Sequence, residues 1–377
     1  MKFEIMRDWL LEGLNDVMKA ISQKVANPIL TGVKMDVNEK GLTMTGSDSD
    51  ITICTFIPVE QDGEQIIRVI EPGSIILQAK VFSEIVRKLP TNDVIMEVEN
   101  MQTHIQSGKS EFHLIGSNSD EYPVLPNVKD EYRFSLPSDL MKSIIKETVF
   151  AVSQQETRPI LTGVHWETDE EKLVCVATDS HRLARREIVP EMMPESPFSV
   201  VIPGKSLQEL NKILPDNTDL VEIVIADQQV LFKSRNVLFY SRLLEGNYPD
   251  TSRLIPAEYK TTVQVNGRKL LQAIDRASLL AREDRNNIVR FSAEGGNTIE
   301  VSSNSPEIGK VEELIEAIDV NGEDLKISFS AKYMMDALKA IEGQDIAIHF
   351  TGAMRPFILK SMESDAILQL ILPVRTF

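Results

Sequence analysis

The hexapeptide Pro28-Ile29-Leu30-Thr31-Gly32-Val33 returns as Pro159-Ile160-Leu161-Thr162-Gly163-Val164, 131 positions later. That interval is far outside the periods of solenoids and arrays, so the repeated unit is a whole domain. Each copy is followed by an alternating segment ending in a Ser/Asp turn, Gly41 to Asp50 after the first and Lys172 to His181 after the second. A third copy keeps the pattern and loses the letters at Asn287-Ile288-Val289-Arg290-Phe291, followed by Asn297 to Ser305.

A chain of 377 residues accommodates three such units of ordinary domain size. Each opens with an amphipathic helix pattern, Met6 to Gln23, Ser138 to Gln155 and Gly267 to Glu283, with Ser138 reading as an N-cap. A second helix pattern follows in every unit, Gln78 to Pro90, Pro203 to Pro215 and Ala331 to Ile341, and short alternating segments with turn dipeptides read as antiparallel strands. The expected fold class is α+β, with two helices packed on antiparallel sheet in each of three domains, 1–127, 128–254 and 255–377. Linkers are expected at Pro126 to Lys129 and Ile255 to Glu258.

Hydrophobic residues make up 42% of the chain, which suits a globular protein without low-complexity tracts. The N-terminus, Met1 to Trp9, lacks the basic start and apolar run of a signal peptide, and no stretch approaches the length of a membrane span. A cytoplasmic protein without membrane contact is expected. Cys54 and Cys175 sit inside apolar runs and read as small buried hydrophobes rather than a disulfide. Five scattered histidines without metal-type spacing lead to the expectation of no metal, and no cofactor is implied.

A net charge of −17 argues against a nucleic-acid partner until the distribution is considered. In all three second helices a basic residue recurs seven places after the first, as Lys80 and Arg87, Lys205 and Lys212, and Lys332 and Lys339. Seven residues is close to two turns, so each pair shares a face. A solvated lysine face is the ordinary reading for one helix. Recurrence at fixed register in three helices favours a function, and Lys142 and Lys146 add to it from a first helix. Lysines on helix flanks supply the salt-sensitive, sequence-independent part of duplex binding. Asp179-Ser180-His181 is no catalytic triad, because adjacent residues rarely meet in triad geometry and no nucleophile-elbow context surrounds Ser180.

Three repeated α+β units, the phrases Thr178-Asp179-Ser180-His181-Arg182-Leu183 and Tyr248-Pro249-Asp250, and the ending Leu372-Pro373-Val374-Arg375 closely resemble the bacterial DNA polymerase III beta subunit family over the whole chain. The resemblance implies a non-catalytic processivity factor, a head-to-tail homodimer whose six domains form a ring around double-stranded DNA. Implied partners are the polymerase III alpha subunit, the clamp loader, and other polymerases and repair or ligation proteins that bring short peptide motifs. The matching peptide pocket comprises Leu161, Thr178, Ser180, His181, Arg182, Leu183, Pro249 and Leu254, with Met354, Pro356, Leu370, Leu372 and Val374 from the third unit. Leu161 reads equally as core, and Leu370, Leu372 and Val374 alternate as one strand face.

For DNA contact the matching positions are Lys24, Gln155, Arg158, Lys205 and Arg253, beside the helix lysines. After Arg158 the chain has Pro159-Ile160 where better-known members carry aromatics, which sets that loop apart. At the seam between chains the resemblance points to a strand bearing Phe112 and Leu114 and a helix bearing Leu279 and Leu280, with Lys109 and an acid among Glu307, Glu312 and Glu313 adding charge pairing. The competing reading is a clamp-like paralogue that binds partner peptides or a drug without encircling DNA.

Overall fold

The computed structural model describes residues 1–377 except 23–25, 126–127, 129–131, 170, 192–193, 195, 282–286, 343–344 and 376–377. It forms two compact units, one of Met1–Met141 with Gln208–Leu243, the other of Lys142–Leu207 with Leu244–Phe377. The middle repeat is therefore shared between them.

In the first unit, helices α1 (Arg7–Val17) and α2 (Ala79–Arg87) pack on each other and on sheet. Leu10, Leu14 and Val17 recur at helical spacing and are fully buried, as are Phe82 and Val86 on α2. A five-stranded antiparallel sheet runs in the order Ser110–Ile115, Gln102–Ser107, Asp93–Glu99, Lys2–Met6, Ile67–Glu71. An eight-stranded sheet runs Tyr132–Pro137, Leu220–Ala226, Gln229–Ser234, Val237–Arg242, Ile51–Pro58, Gly41–Ser47, Gly32–Asn38, Gly73–Gln78. Its first four strands belong to the second repeat and its last four to the first.

The second unit repeats this fusion. Its nine-stranded sheet runs Ser199–Pro203, Gly163–Asp169, Lys172–Thr178, Arg182–Ile188, then Ile367–Ile371, Phe357–Ser361, Asp345–Phe350, Thr261–Asn266 and Asp319–Gly322. The joint between repeats is the pairing of Arg182–Ile188 with Ile367–Ile371. A four-stranded sheet, Gly309–Glu316, Thr298–Ser305, Ile288–Ala293, Leu325–Ser330, completes the third repeat. Helices α5 (Gly267–Ala281) and α6 (Ala331–Ala340) pack on it around Phe291, Phe329, Phe350 and Phe357. The remaining helices, α3 (Ser138–Thr148) and α4 (Gly204–Asn211), belong to the middle repeat.

Both copies of the repeated hexapeptide do the same work. Pro28–Thr31 and Pro159–Thr162 are single 3-10 turns in which Thr31 Oγ1 and Thr162 Oγ1 donate to Pro28 O and Pro159 O at 2.8 and 2.7 Å. The glycine that follows must lack a side chain, because a Cβ on Gly32 would meet Ile76 Cγ2 at 2.4 Å and one on Gly163 would meet Val201 Cγ1 at 2.6 Å. The degenerate third copy forms the strand Ile288–Ala293 at the equivalent place.

Helix lengths fall short of the periodicity. The α-helix expected to reach Gln23 ends at Val17 and tightens into a 3-10 turn, Met18–Ala20, and Val149–Ala151 does the same after α3. Ser138 is the first residue of α3 rather than its cap, and its Oγ donates to Pro215 O at 2.8 Å. Cys54 and Cys175 are free and buried. Burial pushes the Cys54 thiol up to about 11, and the fully enclosed Cys175 rises well above the usual thiol range.

Candidate peptide pocket, basic helices and edge strands

The turn between Lys172–Thr178 and Arg182–Ile188 is held from within. Asp179 Oδ1 accepts from the His181 and Arg182 amides at 2.9 and 3.0 Å, Ser180 adopts a left-handed φ of 74°, and its amide donates to Thr178 Oγ1 at 3.1 Å. Thr178 Oγ1 in turn donates to Arg182 O at 2.6 Å. The other oxygen of Asp179 accepts from Arg182 Nε at 3.0 Å. The Asp179 carboxylate is thus committed to the turn, and nothing aligns it behind His181 as a base.

Arg182 is buried. Beyond Asp179, its Nη1 donates to Asp336 Oδ2 on α6 and its Nη2 to Phe150 O, both at 2.6 Å, while Tyr333 lies under the guanidinium at 4.5 Å from ring centroid to Cζ. Its fork ties the turn to both the second and third repeats. His181 is exposed and its ring stacks towards Tyr333.

Beside this turn lies an apolar floor of Val174, Val176, Leu183, Ile358, Leu368 and Leu370, with Tyr248 and Ile255 packed against it. Tyr248 Oη accepts from the Thr178 amide at 3.1 Å, its ring stacks on His165 at 4.8 Å, and burial raises its hydroxyl pKa. The C-terminal segment runs past the same edge, where the Leu372 amide donates to His181 O at 2.9 Å. Leu161 and Leu370 are buried, Leu372, Val374 and Pro356 are half-buried, and Pro249, Leu254 and Met354 are exposed. The residues expected from the sequence thus include buried side chains, Leu161, Thr178, Arg182, Leu183 and Leu370, as well as exposed and half-buried ones. Tyr248 and Ile255 pack against the cluster without having been named as lining it, although the dipeptide Tyr248-Pro249 echoes Tyr122-Pro123.

The first unit carries a copy of this architecture. Asp48 Oδ1 accepts from the Asp50 and Ile51 amides at 3.1 and 2.9 Å, and Ser49 has a φ of 83°. A cavity of about 360 Å³ opens there, lined among others by Ser47, Thr52, Tyr122, Pro123, Tyr240 and Arg242. Where the second unit places Leu183 against Leu370, the first places Thr52 against Tyr240. At this joint the second unit thus carries two aliphatic side chains where the first carries a hydroxyl and a phenol.

Among the residues expected to contact DNA, the basic Lys80, Arg87, Lys146, Arg158, Lys205, Lys212, Arg253, Lys332 and Lys339 and the neutral Gln155 are exposed, and Lys142 is half-buried. Several are partly neutralised: Lys146 pairs with Glu342, Lys212 with Glu209 at 2.8 Å, and Arg253 with Asp250 at 3.2 Å. Such exposed pairs are weak and leave the cations free to exchange partners. Lys24 lies outside the described residues.

Two of the sheet edges carry exposed aliphatic side chains. Ser110–Ile115 ends the five-stranded sheet with Phe112 and Leu114 half-buried and Ile115 84% exposed. Gly309–Glu316 ends the four-stranded sheet with Val311 half-buried and Leu314 70% exposed. An edge strand carrying exposed aliphatics is a template for another chain. Leu279 is exposed and Leu280 half-buried on α5, from which Arg276 reaches Glu313 at 2.9 Å through its Nε. The edge strand Gly309–Glu316 itself was not foreseen, since its run of glutamates reads as a solvated face.

Models of the DNA polymerase III beta subunit match the chain in three parts: the N-terminal domain over residues 1–126, the central domain over 135–250 and the C-terminal domain over 252–375. The chain is 56% identical over 378 residues to the beta sliding clamp of Bacillus subtilis, with both chains fully covered. It is 50% identical, again at full coverage of both, to beta sliding clamps of Staphylococcus aureus. The crystal structure of the Bacillus subtilis DNA polymerase sliding clamp superposes with a TM-score of 0.97 over the whole of both chains.

Proposed function

The chain belongs to the DNA polymerase III beta subunit family and functions as a non-catalytic sliding clamp, and we propose that two copies close head to tail into a ring threaded by duplex DNA. The observation that carries this reading is the register of the sheet joints. Within the chain, Thr52 pairs with Tyr240 across the joint of repeats one and two, and Leu183 pairs with Leu370 across the joint of repeats two and three. Counting through the ladders of each repeat makes these two pairings equivalent, and gives His113 and Lys310 as the corresponding residues on the edge strands Ser110–Ile115 and Gly309–Glu316. Joining a second copy in that register sets Phe112 opposite Val311 and Ile115 opposite Ile308. Apolar residues then meet, both edges are consumed, and closed symmetry follows. Leu279 and Leu280 flank this seam from α5.

The helix cations, Lys80, Arg87, Lys142, Lys146, Lys205, Lys212, Lys332 and Lys339, with Gln155, Arg158, Arg253 and Lys24, supply phosphate contacts without reading sequence. The acidic remainder of the surface repels DNA elsewhere. The apolar floor in the second unit takes a short peptide with aliphatic or aromatic anchors, presented by the polymerase III alpha subunit, the clamp loader and repair or ligation proteins. Thr178, Ser180, His181, Pro249, Leu254, Met354, Pro356, Leu372 and Val374 form its rim, Leu183 and Leu370 belong to its floor, and Leu161 and Arg182 support it from beneath. Among the described residues no helix is long and apolar enough to cross a membrane, and the place of work is the cytoplasm.

The test is retention on nicked circular DNA after loading with clamp loader and ATP, followed by linearisation. Loss on linearisation alone marks a closed ring that slides off ends. A protein never retained on the circle overturns ring closure and leaves a peptide-binding paralogue.

A further inference from the structure

On the edge strand Ser110–Ile115 the residues alternate cleanly, and the face away from the core carries Glu111 and His113. His113 lies directly opposite His104 on the neighbouring strand, whose core side holds the buried Thr103 and Ile105. The two imidazoles stack at 4.6 Å, and His104 Nε2 is 3.7 Å from Glu111 Oε2. One ligand atom from each of the three residues falls within 4.8 Å of the others. His104 Nε2 is shielded from solvent and makes no hydrogen bond. These groups lie ten residues or fewer apart in sequence at spacings that match no metal motif, and the hairpin register brings them together.

We propose that His104, Glu111 and His113 bind one divalent transition-metal ion of the zinc class, and that Glu312 of a second copy completes the site at the ring seam. Two imidazoles and a carboxylate are a donor set such ions favour. Bonds of about 2.0–2.1 Å need donors about 3.4 Å apart at the corners of a tetrahedron, which small side-chain rotations on an exposed sheet face provide. Glu97, opposite His104 on its other side, is held by Lys2 at 3.1 Å and stands as an outer carboxylate.

The fourth ligand rests on the seam register proposed above. That register sets Glu111 opposite Glu312, and like charges directly opposite on a sheet are destabilising. Lys310, paired with Glu312 in the single chain, offsets one of the two. A divalent cation held by the histidines neutralises what remains and turns a repulsive pair into a bridge.

The experiment uses untagged full-length protein freed of metal by chelation, titrated with Zn²⁺ by calorimetry and with Co²⁺ by visible absorption, alongside sedimentation at the same concentration. One ion per chain with tetrahedral Co²⁺ bands is expected. His104→Gln and His113→Gln, each checked for fold by circular dichroism, should weaken binding by at least the roughly 10–100-fold that loss of even an outer partner costs. His349→Gln should keep wild-type affinity. Absence of saturable binding, or binding indifferent to both His104→Gln and His113→Gln, overturns the site. In a sedimenting dimer Glu312→Gln should weaken binding, and unchanged affinity there overturns completion at the seam. A wild-type chain that sediments as a monomer refutes the ring reading instead, while the two histidine variants still decide the three-residue site.

Discussion

Arg182 Nη1 and Asp336 Oδ2 meet at 2.6 Å across 154 residues of sequence, joining the turn of the second repeat to α6 of the third. The guanidinium is almost wholly enclosed, and each of its three nitrogens donates to a partner, Nε to Asp179, Nη1 to Asp336 and Nη2 to the Phe150 carbonyl. Removing it strands two carboxylates. Arg182→Met is expected to cost about 3 kcal/mol, the lower end of the range for breaking a buried pair, because Asp336 keeps some solvent. Urea denaturation followed by circular dichroism checks this, and a variant as stable as wild type would show the network to be ornamental.

Leu254 is half exposed on the rim of the apolar floor and carries little of the fold. Leu254→Asp should leave the melting temperature near that of wild type while weakening a fluorescent peptide ending in Leu-Phe anchors by about 30-fold, a loss of roughly 2 kcal/mol typical of an interface hot spot. Affinity within twofold of wild type would place the guest elsewhere.

Phe112 and Val311 face each other in the proposed seam and belong to different ends of the chain. Phe112→Asp puts a charge into that contact without entering a core, since Phe112 is only half-buried. Sedimentation should show dissociation to single chains at concentrations where wild type is dimeric, with unchanged circular dichroism. A dimer of wild-type strength in Phe112→Asp removes this strand from the seam.

His165 and His349 titrate below the ordinary histidine value, in each case chiefly because burial disfavours the imidazolium; near His349 the Lys360 ammonium acts in the same direction. A histidine with a depressed folded pKa binds fewer protons folded than unfolded. Its stability contribution is therefore intact above about pH 6.5 and is lost as pH falls from there towards the folded value. The urea midpoint should drop between pH 7.5 and 5.5, and His349→Gln should shrink that drop. A wild-type midpoint that rises on acidification would contradict the sign.

The repeats, the six helices and the seven-residue lysine spacing were legible because each is written in local periodicity. Buried positions such as Leu10, Leu14, Phe82 and Val86 follow directly from it. Helix ends were less legible, since Val17 and Thr148 yield to 3-10 turns whose tightening depends on packing rather than on a terminating residue. Of the apolar cluster beside the turn, Leu183 and Leu370 were readable from the sequence, whereas its other members were not. Val174, Val176, Ile358 and Leu368 look like any strand interior until Arg182–Ile188 pairs with Ile367–Ile371. Arg182 looked like a surface contact because nothing near it in sequence announces Asp336. Gly309–Glu316 was hidden by its own charge, with Glu312, Glu313 and Glu316 masking the apolar Val311, Leu314 and Ile315.

In the proposed ring the seam between chains repeats the pairing register of the two joints inside the chain, yet the strands are supplied differently. Strands tethered on one polypeptide meet at an effective concentration of millimolar order, while those of separate molecules meet only at the protein's own concentration. Dilution, or a machine pulling on one edge, will therefore discriminate among joints that are otherwise alike. A ring so built would part at its seams before its internal joints, and no specialised hinge need be encoded for DNA to enter it.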